Sequence, residues 1–571
     1  MTMLTKWGAA LDRSCPLPEY PRPQLRRESF YNLNGVWNYA VTPSGDEPEI
    51  WDGEIVVPFS PEAPLSGAAR GPAKDEYLHY RRGFTLPEGF QKSRVLLHFG
   101  AVDQIAEVFV NGVSAAKHSG GYWPFSADIT SLLREGENIL RVTVRDNADD
   151  PTFAYGKQRY KRGGMWYTAQ SGIWQTVWLE SVPEVYVKSL RITPEFDEAR
   201  VRIELETALE SSAAITCDVR AADGSFVAGS WAKGGVCVVP LPGFRAWTPD
   251  DPYLYTLDIT CGEDRVESYF AMRKFSYVEL DGRKVFGLNN APLFHNGLLD
   301  QGYYPDGLLT PPSDEAMVND IETMKRCGFN MLRKHIKIEP LRWYYHCDRL
   351  GMIVWQDMVS GGQPYSFLHV SALPTLGKVD LPDQDAKPYG RSGVLSRARF
   401  RREMADTVRL LYNCPCIALW TVFNEGWGQF DALDMANELK KLDPTRFIDH
   451  ASGWQDQGYE EMKSRHIYFR PVKLKNDGRA LALTEYGGYI LAVDGHRWTD
   501  KVFGYRICRN SAALAHDYEK LMLGQVLPHI RKEGLTAAVY TQITDVEEEL
   551  NGLMTYDREV LKIPEETLRE I

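Results

Sequence analysis

The chain has 571 residues, which at roughly 100 to 200 residues per domain points to about three or four domains. Hydrophobic residues make up 44% and charged residues 25%, an ordinary globular mix that excludes disordered and collagen-like architectures. With 65 Lys and Arg against 77 Asp and Glu, the formal net charge of −12 disfavours nucleic acid and anionic bilayers as partners.

From about residue 20 to 183, short apolar alternations are broken by Gly, Pro and Asn, the texture of a β-sandwich. Val95, Leu97 and Phe99 fall on one face, and Val108, Val110, Asn111 and Gly112 read as a strand running into a tight hairpin turn. Leu140, Val142 and Val144 alternate again, and KRGGMWYTAQSGIWQTVWLE closes this unit of jelly-roll size, 1–183. Pro183 marks the next boundary. Over 184–277, stretches such as VYVKSLRIT, ARVRIELET and YLYTLDIT continue the strand pattern for the length of an immunoglobulin-like β-sandwich.

Over 278–571 helical patterns alternate with short apolar runs, as a parallel sheet requires. Ser313 is placed to cap a helix carrying Met317, Ile321 and Met324, with Gly328 as its stop, and Pro340 opens a second helix through Tyr344 and Cys347. Candidate strands are Leu293–Gly297, Asn330–Lys334, Met352–Asp357, Ile417–Glu425, Phe447–Ser452, His466–Phe469, Ala480–Tyr486 and Ala537–Asp545. Eight strands at this spacing predict a (β/α)₈ (TIM) barrel, whose strand C-termini converge on one mouth.

No run of about 18 apolar residues exists to span a bilayer, and the start, MTMLTKWGAALDRSCPLPEYPRP, lacks a continuous apolar signal core. A cytoplasmic protein is expected. The nine cysteines, from Cys15 to Cys508, contain no CxxC pair and read as reduced and mostly buried. The twelve histidines contain no HExxH, and Asp357, His335 and His450 lack the spacing of a metal site, so no metal is predicted.

Two apolar runs end abruptly in carboxylates. IALWTVFNEGWGQF, residues 417–430, ends in Asn424 and Glu425; ALALTEYGGY, residues 480–489, ends in Glu485 before Tyr486 and Gly487-Gly488. A carboxylate after such a run must be paired or functional to offset its desolvation. On the fourth and seventh strands of a barrel the two would face each other, and carboxyl groups about 5 to 5.5 Å apart suit retaining glycoside hydrolysis.

These motifs and their order resemble glycoside hydrolase family 2, the family of the bacterial β-galactosidases, β-glucuronidases and β-mannosidases, over nearly the whole chain. YRRGFTLP at Tyr80–Pro87, the VFVNG hairpin, GGYWPFSADIT and SGIWQTVWLE are similar to its N-terminal sugar-binding-type domain, WTPDDPYLYTL to its immunoglobulin-like domain, and NE and TEYG to its barrel motifs. The resemblance implies that Glu425 is the general acid/base, Glu485 the nucleophile and Asn424 a partner of the sugar 2-hydroxyl. Tyr468, in HIYF, is similar to the family tyrosine that hydrogen-bonds the nucleophile; the alternative is a rim tyrosine. An ionised Glu485, with partial desolvation, should hold Glu425 protonated near neutral pH.

The second strand reads NMLRKHIKIEP. Arg333 and His335 carry over from the family's Arg-x-x-His-Tyr-Pro-like pattern, whereas Ile336 and Lys337 do not. Arg333 and Lys337 are placed to grip a sugar carboxylate, unless Arg333 pairs with Asp300 or Asp357 as scaffolding. Trp355, within IVWQDM, is either core or a stacking wall; Trp454 is the better platform. Tyr540 stands where the family usually has a tryptophan flooring the site, and the Asn-x-Lys element of family β-glucuronidases is not evident in NGLMTYDR. The leading expectation is therefore an exo-acting retaining β-glycosidase, β-galactosidase-like, with no cofactor and a carbohydrate substrate. A β-hexuronidase using Arg333 and Lys337 is the alternative. An inactive sugar-binding protein would have lost a carboxylate, and both are present. The sandwiches are expected to wall the barrel mouth, and the resemblance implies a homo-oligomer.

Overall fold

The computed structural model describes residues 3–209, 214–377 and 380–571. Its first sandwich packs a four-stranded sheet against a six-stranded one around Trp37, Tyr80, Leu97, Val108, Val142 and Leu179, alternate residues of their strands. Asn111 and Gly112 join two of these strands with φ of 51° and 84°, the turn expected of an Asn-Gly pair. The second sandwich faces a three-stranded sheet with a four-stranded one around Ile203, Val219, Leu257 and Phe270. Among the described residues, no helix is long and apolar enough to cross a membrane.

The third unit is an eight-stranded parallel barrel. Its strands are β1 His295–Asp300, β2 Met331–Lys334, β3 Ile353–Asp357, β4 Ile417–Asn424, β5 Phe447–Ser452, β6 Met462–Ile467, β7 Ala480–Gly487 and β8 Leu535–Thr541. They pair in the order β5-β4-β3-β2-β1-β8-β7-β6. The seam between β5 and β6 is bridged by Ser464, whose single hydroxyl donor is shared between Ala451 O at 3.0 Å and Asp449 Oδ1 at 2.9 Å. Helix α1, Asp314–Arg326, starts on the Ser313 cap, its Oγ accepting from Ala316 N at 3.2 Å; α2 spans Leu341–Leu350, with Pro340 at its N-cap.

All eight predicted strands are present, and β5 has its predicted limits. β6 starts four residues earlier than expected, because only Met462, Ser464 and His466 face inward and this polar alternation carries no apolar run. Tyr468 consequently stands just beyond the strand. β8 starts at Leu535 and ends at Thr541, before the expected Asp545. β1 begins and ends later than predicted, at His295 and Asp300.

The starts of β4 and β5 are clamped by Arg446, which is 2% exposed. Its guanidinium donates to Asp443 Oδ2 at 2.7 Å, Ile417 O at 2.8 Å, Tyr412 O at 2.7 Å and Cys414 O at 2.8 Å. Coulombic attraction to Arg446, with hydrogen bonds from Thr445 and Trp420, outweighs burial and holds Asp443 at about 2. Arg446→Met leaves a buried carboxylate without its cation and three carbonyls without this donor, and is expected to cost about 3 to 5 kcal/mol at neutral pH. Because the native pKa is depressed, the stabilisation is present above the ordinary carboxylate range and is lost as pH falls towards 2. Urea unfolding of both proteins should show a gap that narrows with acid; a gap independent of pH would contradict this.

Candidate active site

At the end of β4, Asn424 remains in the strand and Glu425 turns out of it with φ of 54°, a left-handed conformation that costs a non-glycine residue about 1 to 2 kcal/mol. The turn is held by three bonds: Glu425 N to Ser452 O at 2.9 Å, Trp427 N to Asn424 O at 3.0 Å, and Trp454 Nε1 to Glu425 O at 2.9 Å. They aim the Glu425 carboxyl into the mouth with 21% of its side chain exposed. Trp454 is thus pinned at the mouth by its indole N–H.

Glu485, 4% exposed, occupies the equivalent place on β7. Oxygens of Glu425 and Glu485 lie within 4.8 Å of each other. The two glycines behind it are required: at Gly487, φ 83°, an added Cβ would meet Tyr540 Cε2 at 2.2 Å, and at Gly488, φ 67°, Tyr505 Cδ2 at 2.3 Å.

Arg333, fully buried on β2, holds these groups together. It donates through Nη1 to Glu485 Oε1 at 3.0 Å and Thr484 O at 3.1 Å, through Nη2 to Asn424 Oδ1 at 2.8 Å, and through Nε to Asp357 Oδ1 at 3.0 Å. Asp357 also bonds His335 Nδ1 at 2.7 Å. Coulombic attraction to Arg333 and its bonds to both partners outweigh burial and bring Asp357 down to about 2. Tyr468 donates to Glu485 Oε2 at 2.5 Å, bonds Thr541 Oγ1 at 2.9 Å and stacks on Tyr505 with ring centres 4.0 Å apart.

His466 lies between the two carboxylates, its Nδ1 2.9 Å from Glu425 Oε1 and 3.5 Å from Glu485 Oε2. Its Nε2 faces Ser452 Oγ at 3.2 Å and Arg333 Nη1 at 3.5 Å. A guanidinium cannot accept, so Nε2 is assigned as the acceptor and Nδ1 carries the proton towards the carboxylates. Burial lowers the imidazole to about 3, which keeps the ring neutral. Glu425, His466 and Glu485 each offer a ligand atom within 4.8 Å, but with the proton on Nδ1 the trio lacks the imidazole lone pair that a cation would need. Burial also raises the pKa of Glu425, while Lys157, His335 and Arg333 pull it back. Desolvation is one of the two causes expected for this shift, beside the charge of Glu485.

Several predicted residues stand elsewhere. Lys337 is 1% exposed and satisfied by Gly302 O at 2.5 Å, Leu309 O at 2.8 Å and Glu339 at 2.9 Å, so it has no donor left for a substrate. Arg333 has likewise spent its fork on Asp357, Glu485 and Asn424. Asp300 pairs with Lys334 at 2.6 Å rather than with Arg333. Trp355 is core: its Nε1 donates to His295 Nδ1 at 2.9 Å and its ring meets Phe286 edge-on. Tyr540 points away from the mouth, packing on Tyr486 and on Tyr518 of the helix Ser511–Leu521. His450 turns to Asp456 at 3.1 Å, away from Asp357 and His335.

The sequence reading did not name the residues by which the first sandwich reaches the barrel. Residues 153–168 leave that domain and are pinned over the barrel: Gly156 N bonds Ser360 O at 2.9 Å, Gly164 N bonds Glu548 at 2.9 Å, Thr168 N bonds Glu547 at 2.8 Å, and the Tyr167 hydroxyl bonds Glu549. Lys157, Met165 and Trp166 from this segment, with Tyr365, Asn424 and Glu425, line an opening of about 330 Å³. Burial raises Glu549, near both carboxylates, to about 6.

Residues 64–183 match the sugar binding domain of glycosyl hydrolases family 2, 185–273 match the family's further domain, and 310–474 match its TIM barrel domain. The chain is 25% identical over 387 residues to a β-galactosidase of Thermoanaerobacter pseudethanolicus, covering 64% of this chain but 47% of the relative, so it spans about half of that protein. It is 22% identical to a β-glucuronidase of Paenibacillus borealis, over 83% of this chain and 85% of the relative. A solved β-glucuronidase from an uncultured Clostridium superposes with a TM-score of 0.74 at 19% identity, over 96% and 98% of the two chains. That likeness is one of fold.

Arg333→Met removes the shared cation and leaves Asp357 and Glu485 buried without it. The expected cost is about 3 to 5 kcal/mol in urea unfolding; a loss below about 1 kcal/mol would show that the network does not depend on Arg333.

Proposed function

The chain belongs to glycoside hydrolase family 2, and we propose that its barrel mouth hydrolyses terminal β-glycosidic bonds with retention of configuration, through a covalent glycosyl-enzyme. The observation that carries this reading is the pair Glu425 and Glu485, with oxygens within 4.8 Å. Inverting enzymes need carboxyl groups about 6.5 to 9.5 Å apart to admit a water, and retaining enzymes about 5 to 5.5 Å.

Glu485 is the nucleophile. Arg333 and Tyr468 bond its two oxygens, which orients the carboxylate and leaves a lone pair for the anomeric carbon. Glu425 is the acid: burial raises its pKa and so favours the protonated form, and the His466 N–H on Oε1 leaves the proton on Oε2 for the leaving oxygen. In the first step the Glu485–carbon bond forms, the glycosidic bond breaks, and Glu425 gives up its proton. In the second, Glu425 takes a proton from water, the water oxygen attacks the anomeric carbon, and Glu485 departs as carboxylate. Asn424, its Oδ1 occupied by Arg333, has its amide N–H groups for the sugar 2-hydroxyl. The wall that the first sandwich places across the opening, beside Asn424 and Glu425, favours a terminal sugar over the middle of a chain.

Glu485→Gln is expected to lower kcat by roughly four orders of magnitude or more while the protein stays folded. Glu425→Gln should lose roughly 10² to 10⁴-fold on glycosides with poor leaving groups and far less on dinitrophenyl glycosides. Because the Glu425 pKa is raised, the native acid stays protonated to higher pH than an ordinary glutamate, and the basic limb of kcat/KM should disappear in Glu425→Gln. Unchanged turnover in a folded Glu485→Gln protein would sink the assignment.

A further inference from the structure

Among the described residues four lysines are buried: Lys157, Lys334, Lys337 and Lys562. Three of them have a carboxylate oxygen at hand, Lys334 at Asp300 at 2.6 Å, Lys337 at Glu339 at 2.9 Å and Lys562 at Asp545 at 2.5 Å. Lys157, 8% exposed, makes no ion pair among the described residues. Its Nζ has only the Met165 sulfur at 3.9 Å and the Trp166 ring with its centre 5.8 Å away. Burying an ammonium without an anion is costly, and the structure elsewhere avoids it.

The position of Lys157 is built. Tyr167 N donates to Lys157 O at 2.9 Å, Gln158 and Arg159 pair in parallel with Tyr167 and Thr168, and the segment is bolted to the barrel at Ser360 and at Glu547 to Glu549. Lys157 lines the same opening as Asn424 and Glu425, and it is the leading charge acting on both Glu425 and Glu549. The two basic residues expected to meet a sugar carboxylate are buried and engaged elsewhere, Arg333 by the Asp357, Glu485 and Asn424 side chains and Lys337 by Glu339 and two carbonyls.

We propose that the anion missing from Lys157 belongs to the substrate: the lysine, delivered to the barrel mouth by the first sandwich, holds the carboxylate of a hexuronic acid glycone. This rests on the β-glycosidase reading above and narrows it to acidic sugars. An ammonium on a short, fixed segment meets a carboxylate as a point charge, and the pair forms where water is largely excluded. Met165 and Trp166 flank it with apolar surface, which lowers the local dielectric and strengthens an ammonium–carboxylate pair.

The test compares 4-nitrophenyl β-D-galacturonide and β-D-glucuronide with the corresponding galactoside and glucoside, so that the leaving group is constant. The native protein should favour a uronide, and Lys157→Met should lower the uronide-to-neutral ratio of kcat/KM by roughly 10- to 100-fold. Lys157→Arg should restore part of that ratio. Equal losses on acidic and neutral sugars, as expected if Lys157 serves only as a counter-charge to Glu425 and Glu549, would overturn the proposal, as would a native preference for neutral hexosides. Hydrolysis of none of the four would overturn the β-glycosidase reading itself. A second readout needs no turnover: calorimetric titration of folded Glu485→Gln protein with galacturonate, glucuronate, galactose and glucose should show uronate preference, lost when Lys157→Met is added. No preference would overturn the assignment.

Discussion

A single guanidinium sits where four barrel strands meet. Arg333 projects from β2 and is bonded by Asp357 from β3, Asn424 from β4, and Glu485 and the Thr484 carbonyl from β7. Burying such a charge is tolerable only where anions and acceptors compensate it, so the fork fixes the relative positions of all four partners. The carboxylate proposed to attack and the amide proposed to read the 2-hydroxyl are thus held by the same cation. Barrel curvature and the closure of its mouth set the distance to Glu425, but Arg333 sets the orientation of Glu485.

The other half of the site depends on burial. Glu425 stands on a left-handed backbone turn, is raised by desolvation, and meets a neutral imidazole whose own pKa burial has brought down to about 3. Two carboxyl groups in one mouth therefore have unlike surroundings. Glu485 is bonded by a guanidinium and a phenol, whereas Glu425 is bonded by one imidazole N–H and faces the opening. This asymmetry is what an acid and a nucleophile need. The barrel does not complete the mouth alone, since the wall opposite Glu425 comes from residues 153–168 of the first sandwich. Loss of that docking would open the site to water before it disturbed either carboxylate.

The parts of this arrangement that were legible in the sequence are local. A long apolar run ending in Asn-Glu, and another ending in Thr-Glu-Tyr-Gly-Gly, announce strands whose ends must do something with a carboxylate. Strand parity was harder. Tyr540 packs outward and its neighbour Thr541 reaches Tyr468, because successive strand residues point to opposite faces and the run Ala537–Thr541 is buried on both. Lys337 looked like a free cation because its partners, Glu339 and two carbonyls of the β1–α1 loop, are defined by tertiary contact. His466 lay in a strand whose alternation is polar and so carried no hydrophobic signal. Lys157 and Glu549 are nearly 400 residues apart in the chain, and nothing in either neighbourhood points to the other; the basic run from Lys157 to Arg162 was the one available hint.

The central claim is that two facing carboxylates act in two displacements rather than one. Proton NMR of the sugar released in the first minutes from an aryl β-glycoside, before mutarotation, reads this directly. The account predicts that the first-formed anomer is β, by net retention. An α anomer appearing first would mean a single displacement by water, and would contradict the roles given to Glu485, Arg333 and Tyr468.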